Sequence, residues 1–437
     1  MNLSIKKVLL STIASILILF IFLTINFLSY QKPFHKKLPS IIGYTIDHSV
    51  TEGDNLPLYI HSDGPYDINL FHLEKKKRLK TSIKSQSKII QESLYHPIKG
   101  FNWDISFQLT TESLKSGYYI IEITNNNTNE TYQIPIIVKP KSSDKIVIIA
   151  STNTWDAYNS YGGKSFYTDS QTPITIKLLR KVFNKAFGRD IYNSKVLPNK
   201  RPLNAAIDTD DPKTPFHSHT LRGEWALSSF LHHHKIEHSV YSDKDFAYNF
   251  DIHKAKMIFF NTHSEYWSIE MMGKLVQYLE SGGKVFFASG NNIYREIKYN
   301  KDFIEVVNSQ IDIKTTTSLI GSYYTDSGYG SYAPFKVTRS SHWLFNNTNV
   351  SEGTTFGTIK GKGASGWETD KINLYTKGYK TIAVGTNSIG PAYMIYKDTP
   401  YNGWLFNASS LTFVTGLYHD PVINAIVLNA VKNALGE

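Results

Sequence analysis

Met257-Ile-Phe-Phe-Asn-Thr-His-Ser-Glu-Tyr-Trp267 is the stretch on which the reading of this chain turns. Four apolar residues, Met257 to Phe260, make a strand with no wet face, and hydroxyl, imidazole, carboxylate and phenol groups follow at once. The same arrangement recurs at Ile146 to Ile149, followed by Ser151-Thr-Asn-Thr-Trp-Asp-Ala-Tyr-Asn159. In open parallel sheets ligands bind beyond the carboxyl ends of the strands, so both segments point at one pocket.

Working outward, 145–150 reads as a strand, 221–234 as a helix, and 237–241 and 256–260 as strands. Residues 269–280 read as a helix stopped by Gly282-Gly283, and 284–288 as the next strand. This alternation predicts an α/β fold over 145–437, a doubly wound, mostly parallel sheet with flavodoxin-like or glutamine-amidotransferase-like layers. Residues 315–376, rich in Gly, Ser, Tyr and Thr, read as an insertion at the pocket rim. Strands at 381–384, 392–396 and 403–406 and a helix at 421–435 close the pattern.

Upstream, residues 41–141 hold short alternating segments such as Leu56-Pro-Leu-Tyr-Ile60 and Tyr132-Gln-Ile-Pro-Ile-Ile-Val138, separated by Gly, Asn and Asp turns. They predict a small immunoglobulin-like β-sandwich. Residues 32–40 are a basic linker, and residues 1–31 contain the uncharged run 8–28 behind Lys6 and Lys7. That run is long enough for a transmembrane helix, and it lacks an Ala-x-Ala cleavage pattern. The expectation is a single-pass, membrane-anchored protein with the bulk of the chain outside the cytoplasm.

Zero cysteines exclude disulfides, zinc-thiolate sites and a thiol nucleophile, and with the thiol goes a glutamine-amidotransferase-like reaction. The net charge of +10 is scattered among Asn, Ser and Thr rather than gathered on one helix. It predicts a solvated cationic surface and no nucleic-acid partner.

His263 and Glu265 are two apart, so on an extended segment they face the same way, as a base and a metal ligand should. The alternative is a histidine bonded to a backbone carbonyl and a glutamate capping the helix that starts near Ser268. Tyr158 follows Trp155 by three, a spacing that equally suits a packed aromatic pair. Asn153 in the first segment, and Asn291, Asn292 and Arg295 beyond a strand end, are candidate substrate-binding groups or turn chemistry. His232, His233 and His234 read as a solvated helix end, and His217, His219, Asp208, Asp210 and Asp211 as a loop cluster that could bind a cation but reads more simply as scattered loop polarity.

Asn153-Thr-Trp-Asp-Ala-Tyr-Asn159, Tyr161-Gly-Gly-Lys-Ser-Phe-Tyr167, Asn261 to Ser268, Gly290-Asn-Asn-Ile-Tyr-Arg295 and Ser365-Gly-Trp-Glu-Thr-Asp370 together resemble the catalytic subunit of the N,N-dimethylformamidase family. The resemblance covers 145–437 almost throughout; the predicted anchor is no part of it. It implies an iron-dependent hydrolase that splits a small amide into an amine and an acid. The mononuclear Fe3+ is then held by Tyr158, Tyr167 and Glu265, with His263 beside them as a catalytic group and Tyr161 the rival for the second phenol. Ferric iron favours anionic oxygen, so two phenolates and a carboxylate suit it. The resemblance also implies a small partner subunit or self-association. The competing reading is a non-catalytic cell-surface protein, carbohydrate-binding or structural.

Overall fold

The computed structural model describes residues 11–17, 21, 32–74, 77–168, 196–204, 210–211, 213–214 and 219–437. At its centre lies a nine-stranded sheet. Its strands are β1 (Ile146–Ala150), β2 (His238–Ser242), β3 (Met257–Thr262), β4 (Lys284–Ser289), β5 (Phe335–Val337), β6 (Thr355–Phe356), β7 (Lys380–Gly385), β8 (Tyr393–Thr399) and β9 (Gly403–Asn407). The order across the sheet is β2-β1-β3-β4-β9-β8-β7-β5-β6.

The expected doubly wound, mostly parallel α/β sheet is corrected here. Parallel pairing joins β2, β1, β3, β4 and β9, but every later pair, β9 with β8, β8 with β7, β7 with β5 and β5 with β6, is antiparallel. The reason is connection length. Between β8 and β9 lie only Pro400–Asn402, too few residues for the crossover that a parallel return needs, so the chain makes a hairpin. Among the described residues, seven smaller sheets of two to five strands lie outside this sheet, so strands rather than alternating helices dominate the architecture.

Helices cover both faces of the central sheet. Ile146, Ile148 and Ala150 of β1 share a core with α2 (Leu221–His233) and α6 (Pro421–Leu435). Val147 and Ile149, pointing the other way, pack with α3 (Asp243–Tyr248) and α4 (Ile269–Glu280). This is the period of two expected of a strand buried on both sides. Two further helices bear on the site: α1 (Thr152–Tyr158), which leaves the end of β1, and α5 (Ile313–Ile320) in the rim insertion.

Ahead of this unit, a five-stranded and a three-stranded sheet pack face to face over Leu58, Ile60, Ile68, Leu70, Ile121 and Ile136. The sandwich docks on the central sheet through Leu73, Tyr118, Ile120 and Ile137, which join the core of α2. A Lys139 to Asp245 ion pair and a Tyr118 hydroxyl donating to Glu224 Oε2 at 3.2 Å tie the contact further.

The expected anchor over 8–28 lies largely outside the described residues. Within it, residues 11–17 are helical. Among the described residues no helix is long and apolar enough to cross a membrane. The single-pass, extracytoplasmic placement is therefore withdrawn.

Candidate functional site

At the carboxyl ends of β1, β3 and β4 three loops meet. Residues 264–267 after β3 and 293–299 after β4 continue as a short parallel pair, Tyr266 opposite Arg295 and Trp267 opposite Glu296. The amides of Tyr294 and Arg295 both donate to the Glu265 carbonyl, at 2.9 and 3.0 Å. That pairing sets Arg295 beside Glu265, whose Oε1 accepts from Arg295 Nε at 2.7 Å. Thr262, Asn291 and Ile293 hold φ of 52°, 51° and 50°, a left-handed backbone costly for non-glycine residues and commonest at functional sites.

Glu265 is the hub. Its Oε2 accepts from the Tyr167 hydroxyl at 2.6 Å, and Tyr266 donates to that same Tyr167 oxygen at 2.6 Å. The Tyr158 ring lies 4.4 Å from that of Tyr167 and 6.0 Å from that of His263. His263 Nε2 sits 3.3 Å from Glu265 Oε2 and 3.0 Å from Glu368 Oε2. Neither approach has the direction of a hydrogen bond, and both ring nitrogens are buried. The structure thus brings together Tyr158, Tyr167, Glu265, His263 and Arg295. Tyr161 stands apart, packed against Tyr95 and Phe101 of the sandwich at 6.1 and 5.9 Å.

The asparagines divide. Asn291 Nδ2 donates to Glu368 Oε2 at 3.0 Å while its buried Oδ1 has no partner. Asn292 bonds Asp370 Oδ2 at 2.8 Å, the Ser289 carbonyl at 3.1 Å and the Ser289 hydroxyl at 2.5 Å. Asn153 is held by the Tyr266 carbonyl at 3.0 Å, the Tyr299 hydroxyl at 2.9 Å and Asp243 at 2.9 Å. The latter two are struts beneath the loops, whereas Asn291 faces the carboxylates.

Two residues outside the expected ligand and substrate set join the site. Glu368 comes from the rim insertion directly after Trp367, which takes φ of 63°. His219 lies 4.4, 4.7 and 5.5 Å, ring to ring, from Tyr158, Trp367 and His263. Glu368 sat inside a motif, but no spacing links an acid at 368 to one at 265. His219 lies in a stretch without periodicity. Its companions His217 and Asp208 fall outside the described residues. His232 to His234 lie elsewhere, with His232 Nε2 3.7 Å from Glu74 of the sandwich.

Burial alone would push the His263 imidazole down, but the Glu368 and Glu265 carboxylates raise it to about 10. Burial likewise opposes the charge on Glu265, yet His263 and Arg295 hold its carboxyl below the usual range. Burial first, then the neighbouring carboxylates, pushes the Tyr158 and Tyr167 phenols up, so both keep their protons unless a stronger cation arrives. Burial and the His263 charge lower His219 to about 3, which leaves it neutral.

Asp370, the anchor of Asn291 and Asn292, is raised to about 7 by burial, against the hydrogen bonds of those two residues. A carboxyl raised on folding binds its proton more tightly in the native state. Its contribution is therefore present below the unfolded value near 3.8 and is lost as pH rises toward 7. Relative to Asp370→Asn, the wild-type chain should lose about 1.4 kcal/mol of stability per pH unit between pH 4 and 7, and run parallel above it. Denaturant melts of the pair across this range check the prediction; a constant difference would contradict it.

The donors fit a hard cation. Two carboxylates supply anionic oxygen, and a hard trivalent cation would displace the protons of the two phenols beside them. Among the described residues no three His, Cys, Asp or Glu side chains form a metal-holding group.

The sequence pattern of the family described as N,N-dimethylformamidase beta subunit-like, C-terminal, matches residues 72–315 and 305–425. No curated protein matches the chain. Among solved structures, one described as the mmIFT52 N-terminal domain is similar at 9% identity and a TM-score of 0.28, covering 48% of this chain and 90% of its own.

Proposed function

Because this chain belongs to the N,N-dimethylformamidase beta subunit-like family, we propose that it is an amide hydrolase whose site holds iron on Tyr158, Tyr167 and Glu265. One observation carries the reading: the Tyr158 phenol at the end of α1, the Tyr167 phenol from the segment that follows it and Glu265 from the loop after β3 come together, with Tyr167 bonded to Glu265 at 2.6 Å. A bound Fe3+ supplies a polarised amide carbonyl and an acidified water. The side chains do the rest.

Arg295 fixes the Glu265 carboxylate through Oε1 and leaves Oε2 to the phenol side. Glu368, oriented by Asn291 Nδ2, accepts the proton that the attacking water gives up. His263 Nε2, within 3.3 Å of both carboxylates, passes a proton to the departing amine. Asn291 Oδ1, without a partner among the described residues, takes a hydrogen bond from the attacking water. Atoms balance as amide plus water giving acid plus amine.

The test is direct. Full-length protein supplied with ferric ion should take up one iron per chain, show a tyrosinate charge-transfer band in the visible, and release formate from N,N-dimethylformamide. Colourless, iron-free protein that a Glu265→Ala change leaves unaltered would end this reading.

A further inference from the structure

Arg201 is buried and reaches back under the site loops. Its Nη2 donates to the Asp156 carbonyl at 3.0 Å, and its Nη1 to the carbonyls of Asn159 at 3.0 Å and Lys164 at 3.1 Å. Asp156 lies two residues before Tyr158, and Lys164 three before Tyr167. One planar guanidinium therefore pins both segments that end in the site phenols. Its geometry suits the task, because several fixed donors in one plane can serve carbonyls on converging strands of chain where a single ammonium cannot. A cation beneath the last turn of α1 also meets the negative end of that helix.

The clamp is docked from the sandwich. Lys200, its chain neighbour, accepts at its carbonyl from the Phe101 amide at 2.8 Å. Gly100 is what permits this approach. It holds φ of 74°, and a Cβ there would stand 2.0 Å from the Lys200 oxygen. Asn159 Nδ2 closes the circuit on the Pro202 carbonyl at 3.0 Å.

We propose that Arg201 is a positioning residue, a sandwich-docked clamp that sets the Tyr158 and Tyr167 phenols against Glu265. The inference rests on the reading above, that these phenols hold the iron. In the full chain, Arg201→Met should weaken uptake of ferric ion about tenfold or more and shift or dim the tyrosinate band, with Arg201→Lys recovering part. Amide hydrogen exchange should speed about tenfold across 156–168 while β1, β3 and β4 exchange as before.

Unchanged exchange and unchanged iron uptake in Arg201→Met would overturn the proposal. So would equal acceleration throughout the sheet, which is the mark of a general stabiliser. If Arg201→Met fails to fold, Gly100→Ala, remote from the site, should give the same local loosening of 156–168, and its failure to do so overturns the clamp. A wild-type chain that takes up no ferric ion sinks the iron reading alone; exchange over 156–168 then decides for or against the clamp.

Discussion

Glu265→Gln is expected to lower kcat/KM for amide hydrolysis by about 10³-fold or more, a loss of the size seen when a preorganised charge leaves an active site. The substitution keeps the shape and removes the charge. Arg295 Nε and the raised imidazole of His263 then face a neutral amide in a site where Glu265 is 1% exposed. Removing one partner of a buried ion pair typically costs about 3–5 kcal/mol, because the remaining charge has no compensation. Formate release and denaturant unfolding measure the two effects. A variant with native turnover and native iron content would show that Glu265 is only a structural counter-ion.

Gly290→Ala should cost less, by a different route. A Cβ at Gly290 would lie 2.4 Å from the Glu368 carbonyl oxygen, 2.5 Å from the Leu411 nitrogen and 2.9 Å from the Ser410 carbonyl carbon. All three are backbone atoms, so no rotamer change relieves the clash and the 366–370 segment has to move. Overpacking of this kind costs about 1–3 kcal/mol or more. A displacement near 1 Å of Glu368 would cut turnover about 10²-fold. A crystal structure of the variant with Glu368 in place and activity intact would refute the prediction.

Much of the local structure was legible because burial leaves a pattern in residue order. β1, β3 and β4 are unbroken apolar runs, and the Gly282-Gly283 stop of α4 is read directly. The polar loops beyond β1 and β3, with His263 and Glu265, were found by the same rule, whereas Tyr158 reads by its spacing as a packed aromatic and enters the candidate set only through the family resemblance. The choice between Tyr161 and Tyr167 was not. Both follow Asn159 within a few residues, and only the sandwich, which takes Tyr161 into its own aromatic cluster with Tyr95 and Phe101, separates them. Asn153 and Asn292 have the composition of pocket residues, and their partners, Tyr266, Tyr299, Asp370 and Ser289, make them struts.

By itself the sequence determined where strands end in polar loops, that an acid and an imidazole stand two residues apart at one of those ends, and that a thiol has no part in the chemistry. These are properties of adjacent residues, set by periodicity and by which side chains are present. The turn of the sheet from parallel to antiparallel at β9, the arrival of Glu368 and His219, and the clamp of Arg201 were decided only by the tertiary structure. Each joins residues tens of positions apart, and contacts at that separation depend on how the loops are brought back over the sheet, which no local spacing encodes.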